Sequence, residues 1–155
     1  MPHIHEKIDF TSESFIVYKN KVLLRKHDKY KIWLSVGGHI ELDEDPIQAA
    51  VREVKEEVGL NVKIKDDMTF RMKSSDYTEL IPPKFMNRHK INDQHEHISL
   101  VYFAVPDSDE VKVGGDDKSN EWKWFSNEEL DDKRYNIKEH VKFYAKQALK
   151  ELSSN

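Results

Sequence analysis

Three glutamates near the middle of the chain, Glu53, Glu56 and Glu57, have the type and spacing that could hold a divalent cation. Residues three and four positions apart are neighbours on a helix, so all three would share one helical face. Mg²⁺ takes oxygen ligands, commonly one or two carboxylates completed by water and substrate phosphate. Like charges at this spacing cost about 0.2–0.5 kcal/mol per pair, and only Glu56 has a cation one turn back, Arg52. The glutamates alone leave two interpretations open, a solvated acidic face or a cation site.

The residues around the glutamates predict a helix. Apolar residues recur at the spacing of one helical face, at Ile47, Ala50, Val51, Val54 and Val58. Asp45 is a good N-cap, Pro46 suits the first helical position, and Gln48 would complete a capping box. Gly59 is typical of the residue that ends a helix. The three carboxylates are therefore expected on a helix whose opposite face is buried.

The residues that flank the glutamates favour the cation site. Gly38, five residues, Glu44, seven residues and then the run from Arg52 to Leu60, REVKEEVGL, reproduce every fixed position of the Nudix box. Chance agreement at so many positions is on the order of one in ten million or rarer. The sequence resembles the Nudix hydrolase family over residues 38–60, with a weaker resemblance at residues 121–130.

The resemblance implies an α/β fold, the Nudix-type α/β/α sandwich, in which a mixed β-sheet supports a catalytic loop–helix–loop. It also implies hydrolysis of a nucleoside diphosphate linked to another moiety X, such as a dinucleoside polyphosphate, a nucleotide sugar or a modified nucleoside triphosphate. By the same resemblance Glu53, Glu56 and Glu57 would hold Mg²⁺ or Mn²⁺, and the carbonyl group of Gly38 can also face the metal.

Two other residues of the box have a positioning role by resemblance. Arg52 would pair with Glu44 and fix the loop–helix–loop, because a guanidinium fork orients carboxylates well. Some members of this fold bind nucleotides to regulate a partner and no longer hydrolyse them. Those members usually lose box glutamates, whereas this chain keeps all of them. A catalytically silent nucleotide-binding regulator is the alternative to a hydrolase.

The general base has candidates inside and outside the box. Glu53 is the candidate inside it, and Glu96, His95 and His97 are the candidates outside it, which could instead contact the substrate. Residues 95–97 lead into a nearly continuous apolar strand at residues 98–105, which is predicted to be central. His95 and His97 would share one face with Ser99, while Glu96 points to the other. We favour substrate contact or a base over a separate zinc site, with a purely structural role as the alternative.

Two segments outside the box could also contact a nucleotide. Arg25 belongs to a basic run at residues 25–31, which is either a solvated face or a surface that steers phosphates. Residues 74–94 contain few apolar residues in register and predict a long loop. That loop carries Tyr77, which could stack on a base. A surface excursion without function is the alternative.

Length and composition bound the class of protein. The 155 residues predict a single domain, residues 1–155, and the absence of cysteine excludes a disulfide framework and a thiolate metal site. With no signal peptide and no long apolar run, we expect a cytoplasmic protein without a membrane contact. The net charge of −4 argues against a broad nucleic-acid surface. The expected partner is a small-molecule nucleotide, and a homodimer is implied by fold analogy alone.

The remaining pattern predicts the other elements of the fold. They are strands at residues 4–10, 15–18 and 22–24 with a turn at Asn20, one or two strands within residues 62–72, a strand at 122–125, a short helix opened by Ser126 and Glu129, and a last helix at 137–152.

Overall fold

The computed structural model describes residues 6–113 and 121–153, so the first residues of the strand predicted at 4–10 lie outside the described part. The strands are β1 (Ile8–Tyr18), β2 (Lys21–Lys26), β3 (Trp33–Leu34), β4 (Val36–His39), β5 (Val62–Ile64), β6 (Phe85–Asn92), β7 (His95–Pro106) and β8 (Trp122–Phe125). The helices are α1 (Pro46–Val58) and α2 (Glu139–Leu152), with a short 3₁₀ helix at Glu129–Asp131.

The strands form one mixed sheet with two long parallel strands at its centre. β1 and β7 pair in parallel, with Ile8 opposite Glu96 and Ile16 opposite Ala104. On the other side of β1, strands β2 and β4 pair with it antiparallel, while β5 and β6 pair antiparallel with β7. Strands β3 and β8 extend the sheet from β2. The central position predicted for residues 98–105 is confirmed.

One helix packs on each face of the sheet. Because alternate residues of a strand point to opposite faces, neighbouring residues of β1 pack against different helices. Ile16 packs in a buried cluster with Val54 and Val58 of α1. Its neighbours Phe15 and Val17 pack on the other face with residues of α2. This arrangement is the predicted α/β/α sandwich.

The local signals at the start and end of α1 act as predicted. The Asp45 carboxylate accepts hydrogen bonds from the backbone N–H groups of Ile47 and Gln48, at 2.8 and 2.9 Å. The Gln48 side chain accepts from the N–H of Asp45 at 2.9 Å, which completes the capping box. Gly59 has a φ of 70° at the C-cap, a conformation that favours glycine. The box helix therefore begins and ends through local chemistry.

Helix α1 is also fastened to the centre of the sheet. The hydroxyl of Ser12, on β1, donates to the carbonyl of Pro46 at 2.8 Å. Ser12 lies opposite Gly38 of β4 in the sheet register. The start of α1 and the glycine of the box are thus held to the same residue of β1.

The prediction of a loop at residues 74–94 is wrong in part. Residues 85–92 form β6, whose backbone pairs with β7. Most of the side chains of β6 are exposed, so the strand has no apolar pattern for the sequence to reveal. Its backbone hydrogen bonds to β7 and the packing of Phe85 against the core hold it in the sheet.

Of the one or two strands predicted within residues 62–72, one forms among the described residues, β5. Met68, Phe70 and Met72 alternate but are more than half exposed. The guanidinium of Arg71 instead binds Asp66, with an N–O distance of 2.7 Å, and holds the segment as a loop. The other differences are small, since α2 begins at Glu139 and the short helix is a 3₁₀ helix.

None of the described helices is long and apolar enough to cross a membrane.

Replacing Asp45 by alanine should lower the free energy of unfolding by about 1 kcal/mol, because two N–H groups of α1 lose their acceptor. Chemical denaturation measures the change. The matched control is Lys55→Ala, at an exposed position of the same helix, which should change the value by less than about 0.5 kcal/mol. Equal effects of the two substitutions would contradict the capping assignment.

Candidate active site

The carboxylate of Glu53 lies against the backbone of β4. Glu53 is buried, with 7% of its surface exposed. A Cβ atom added to Gly38 would lie 2.5 Å from both the carboxyl carbon and Oε1 of Glu53, far inside van der Waals contact. Glycine at position 38 is therefore required for the approach of this carboxylate to the strand.

Arg52 connects the loop, the helix and the strand around Glu53. Its guanidinium donates to both carboxylate oxygens of Glu44, at 2.6 and 2.9 Å. It also donates to Glu53 at 2.9 Å and to the carbonyl of His39 at 3.0 Å. The predicted pairing of Arg52 with Glu44 is confirmed. Arg52 lowers the pKa of Glu44 through the hydrogen bond and its charge, so Glu44 stays ionised as an anchor.

Glu57 lies beside Glu53 and is paired with a cation from the sheet. Arg25 of β2, which is itself buried, forms a hydrogen-bonded ion pair with the Glu57 carboxylate. Burial raises the pKa of Glu57, and the nearby carboxylate of Glu53 raises it further, while Arg25 opposes both effects. Two acids held this close favour a cation between them, because a cation offsets their mutual repulsion.

A cavity of about 450 Å³ opens next to this ion pair. It is lined by Arg25, His27, Asp28, Lys29, Leu34, Ser35, Gly37 and Glu57. The basic run predicted to be either a solvated face or a phosphate-steering surface thus contributes to the wall of a cavity that reaches the helix of the box. The volume is in the range of small-molecule sites, about 300–1,000 Å³.

Comparison with known proteins identifies the family. A model described as the NUDIX domain matches residues 13–147. The chain belongs to the NUDIX domain family. A crystal structure of a NUDIX-family hydrolase from Clostridium perfringens is 36% identical, superposes with a TM-score of 0.83, and covers 94% of this chain and 98% of that one.

Two curated relatives of this Nudix chain are named as pyrophosphohydrolases. One, named "Probable DHNTP pyrophosphohydrolase", from Lactococcus lactis subsp. cremoris, is 26% identical over 71% of this chain and 61% of its own length. Another, named RNA pyrophosphohydrolase, from Bartonella clarridgeiae, is 28% identical over 74% of this chain and 68% of its own length. The chain spans less than two thirds of the length of the first curated relatives that it matches.

Three other candidate residues of the Nudix chain do not line the cavity. Glu56 has 61% of its side chain exposed and accepts from Arg52 at 3.2 Å. Tyr77 lies in the loop between β5 and β6 with 54% exposed. Glu96 forms an ion pair with Arg88 of β6, which lowers its pKa. Glu56 shares Arg52 with Glu53, whereas Glu96 is engaged by a different cation.

His95 and His97 lie in a cluster that the sequence did not predict. The ring of His97 is 4.9 Å from that of His39 and 5.3 Å from that of His95, measured between centroids. The carboxylate of Asp9 lies 3.2 Å from Nε2 of His95. Burial and the surrounding histidines lower the pKa of His97 to about 4. The only sequence signal for the cluster was the His-x-His pair, because Asp9 and His39 are distant in the chain.

Gly38→Ala should weaken Mg²⁺ binding by about tenfold or more, the size expected when a residue that positions a ligand is lost. The new methyl group meets the flexible carboxyl end of Glu53, so the fold should remain while the carboxylate moves. Isothermal titration calorimetry with Mg²⁺ alone measures the affinity.

The neighbouring glycine offers a matched contrast. A Cβ at Gly37 would lie 2.3 Å from the backbone carbonyl oxygen of Ser12, so Gly37→Ala should lower the denaturation midpoint instead. Unchanged Mg²⁺ affinity in Gly38→Ala would refute the role given to the Glu53 contact.

Arg52→Gln should lower the free energy of unfolding at pH 7 by about 1.5 kcal/mol or more, because several carboxylates lose a charged donor. Arg52 lowers the folded-state pKa of Glu44 below 4.5. The stability from that pair is complete above pH 4.5 and is lost as the pH falls through the lower folded value. The difference in the free energy of unfolding between wild type and variant, measured by urea denaturation, should therefore become smaller below pH 4.5.

The control for this pH series is Arg134→Gln, which removes an exposed pair with Asp132 and should leave the free energy of unfolding nearly unchanged at every pH. If the difference in the free energy of unfolding between wild type and Arg52→Gln grew on acidification, the stabilising pairing of Arg52 with ionised Glu44 would be contradicted.

Proposed function

We propose that this Nudix protein is a pyrophosphohydrolase that depends on Mg²⁺ or Mn²⁺ and cleaves a nucleoside diphosphate linked to another group. The observation that supports the proposal best is the wall of the cavity, which is lined by a carboxylate, Glu57, and two cationic side chains, Arg25 and Lys29. A substrate with a phosphoanhydride needs cations for its phosphates and carboxylates for a divalent ion. This cavity offers both.

The box residues fit a hard divalent cation. Glu53, Glu56 and Glu57 would hold it, together with the carbonyl of Gly38. The absence of a Cβ at Gly38 brings the buried Glu53 carboxylate against β4, and Glu57 is close enough to Glu53 for the two charges to interact. When bound, the ion would neutralise phosphate oxygens and lower the pKa of a water molecule.

The side chains of the chain divide the remaining tasks. Arg52 fixes Glu44 and Glu53 and acts as a positioning residue. Arg25 holds Glu57 and lies at the cavity, where it can bind a phosphate of the substrate. Lys29 lines the same cavity and adds a second positive charge for the phosphates.

We propose Glu53 as the general base that takes the proton of the attacking water. It is buried beside the other box carboxylates, where an incoming water would be activated. His95 and His97 share the sheet face of Asp9, away from α1, and Glu96 is held by Arg88. These positions make the three residues outside the box weaker candidates for the base.

The cavity and the names of relatives support the proposed substrate class. The relatives from Lactococcus and Bartonella are named as pyrophosphohydrolases of different molecules, so the shared chemistry is the phosphoanhydride and not the attached group. We propose a small nucleotide such as a dinucleoside polyphosphate, a nucleotide sugar or a modified nucleoside triphosphate, acted on by a single domain in the cytoplasm.

Glu57→Gln should reduce hydrolysis by about a hundredfold or more, since even outer-shell partners of a metal cost about 10- to 100-fold. A panel of nucleoside diphosphate derivatives with Mg²⁺, followed by chromatographic identification of the products, measures the activity. The same panel with EDTA should give no product.

The matched control is Glu139→Gln on α2, where the glutamate side chain is 92% exposed, and it should keep wild-type activity. Full activity in Glu57→Gln, or full activity in EDTA, would refute the proposed function. Tight nucleotide binding without turnover by the wild type would favour the regulatory alternative.

A further inference from the structure

Four side chains from three adjacent strands converge at one end of the sheet. They are Asp9 of β1, His39 of β4, and His95 and His97 of β7. Asp9 lies opposite His97 in the parallel pairing, and His39 lies opposite Thr11, two residues along β1. One ligand atom from each residue lies within 4.8 Å of all the others. Asp9 and His95 are almost fully buried, at 1% and 4% exposed.

The two distances from the Asp9 carboxylate to histidine nitrogens are close to those around a tetrahedral metal. Bonds of about 2.0–2.1 Å from a central Zn²⁺ place neighbouring ligand atoms about 3.3–3.4 Å apart. The carboxylate oxygen Oδ2 of Asp9 is 3.2 Å from Nε2 of His95 and 3.4 Å from Nε2 of His39. Both values are close to the edge of such a tetrahedron.

The backbone favours the tautomer of His95 that a metal needs. Nδ1 of His95 lies 3.3 Å from the carbonyl oxygen of Glu6. An N–H at Nδ1 donates to that carbonyl, which leaves the lone pair on Nε2, the atom that faces Asp9. Metal-bound histidines commonly donate their other ring nitrogen in this way.

The cluster lies on the opposite face of the sheet from the box carboxylates. A Cβ added to Gly38 would meet Glu53 of α1. The side chain of the next residue, His39, lies on the other face because strand residues alternate. Its partner in the register, Thr11, shares that face with Phe15, which packs against α2. The cluster is therefore a separate site, although it touches the strand that carries Gly38.

The donor set also selects a different ion from that of the box. Three imidazole nitrogens and one carboxylate suit Zn²⁺ or a related first-row transition ion, whereas Mg²⁺ prefers an all-oxygen shell. We propose that Asp9, His39, His95 and His97 bind one such ion, which ties β4 and its glycines to β1 and β7. This site is independent of the proposed hydrolytic function.

The test strips the protein with EDTA and then titrates it with Co²⁺, followed by Zn²⁺. Saturating Mg²⁺ is present to occupy the box. We expect one equivalent of Co²⁺ with the visible absorption of a tetrahedral complex, displaced by one equivalent of Zn²⁺. His97→Gln and Asp9→Asn should each weaken Zn²⁺ binding by about a hundredfold or more, beyond the cost of an outer-shell partner.

Two control variants separate this site from the others. Glu57→Gln should keep the tetrahedral Co²⁺ spectrum and the Zn²⁺ affinity, because the box lies on the other face. His140→Gln, at an exposed position of α2, should also keep them. A rise in melting temperature with Zn²⁺ should appear in the wild type and both controls and be absent from His97→Gln.

Three results would overturn the proposal. One is the absence of a tetrahedral Co²⁺ spectrum in the wild type, which would leave the four side chains as a polar cluster that binds no metal. Another is loss of Zn²⁺ binding in Glu57→Gln, which would place the ion in the box. The last is unchanged Zn²⁺ affinity in His97→Gln, a partly exposed position that can be tested even if Asp9→Asn does not fold.

Discussion

The guanidinium group of Arg52 is the contact on which the arrangement of the box depends. It binds a carboxylate of the preceding loop at Glu44, a carboxylate of its own helix at Glu53, and a backbone carbonyl of β4 at His39. The sheet holds β4 and the start of α1, and Arg52 adds the loop that carries Glu44 to this frame. A planar cation with several fixed donors can orient them at once, which a lysine could not do.

The sheet supplies the rigidity that this contact requires. Parallel pairing of β1 with β7 places the longest strands in the centre, and helices cover both faces. Because neighbouring residues of β4 point to opposite faces, Gly38 and His39 lie one step apart yet belong to two clusters of different chemistry. Oxygen donors gather on the side of α1, and imidazoles gather on the other side.

The sequence revealed the features whose cause is local. The capping box of α1, the turn at Asn20, with a φ of 64°, and the reciprocal bonds of Ser126 and Glu129 depend on residues a few positions apart. The spacing of the box also depends on nearby residues, because most of it lies on one helix and the loop before it.

The features that the sequence did not reveal depend on strand register. Arg25 and Glu57 are 32 positions apart, and only the packing of α1 on the sheet brings them together. The histidine cluster requires that Asp9 pair with His97 while β4 lies on the other side of β1, which no short pattern encodes. β6 was missed because its exposed side chains lack the alternation by which a half-buried strand is recognised.

The parallel pairing at the centre of the sheet also constrains how the molecule can assemble. Thr11 and Ser99, whose hydroxyls are 2.7 Å apart, are separated by 88 positions, and closing so long a segment costs entropy before any contact rewards it. During synthesis, β7, the parallel partner of β1, is made long after β1 itself. The early hairpin of β1 and β2 therefore carries an edge of unpaired backbone N–H and C=O groups in the nascent protein, the kind of edge that can pair with another chain and aggregate.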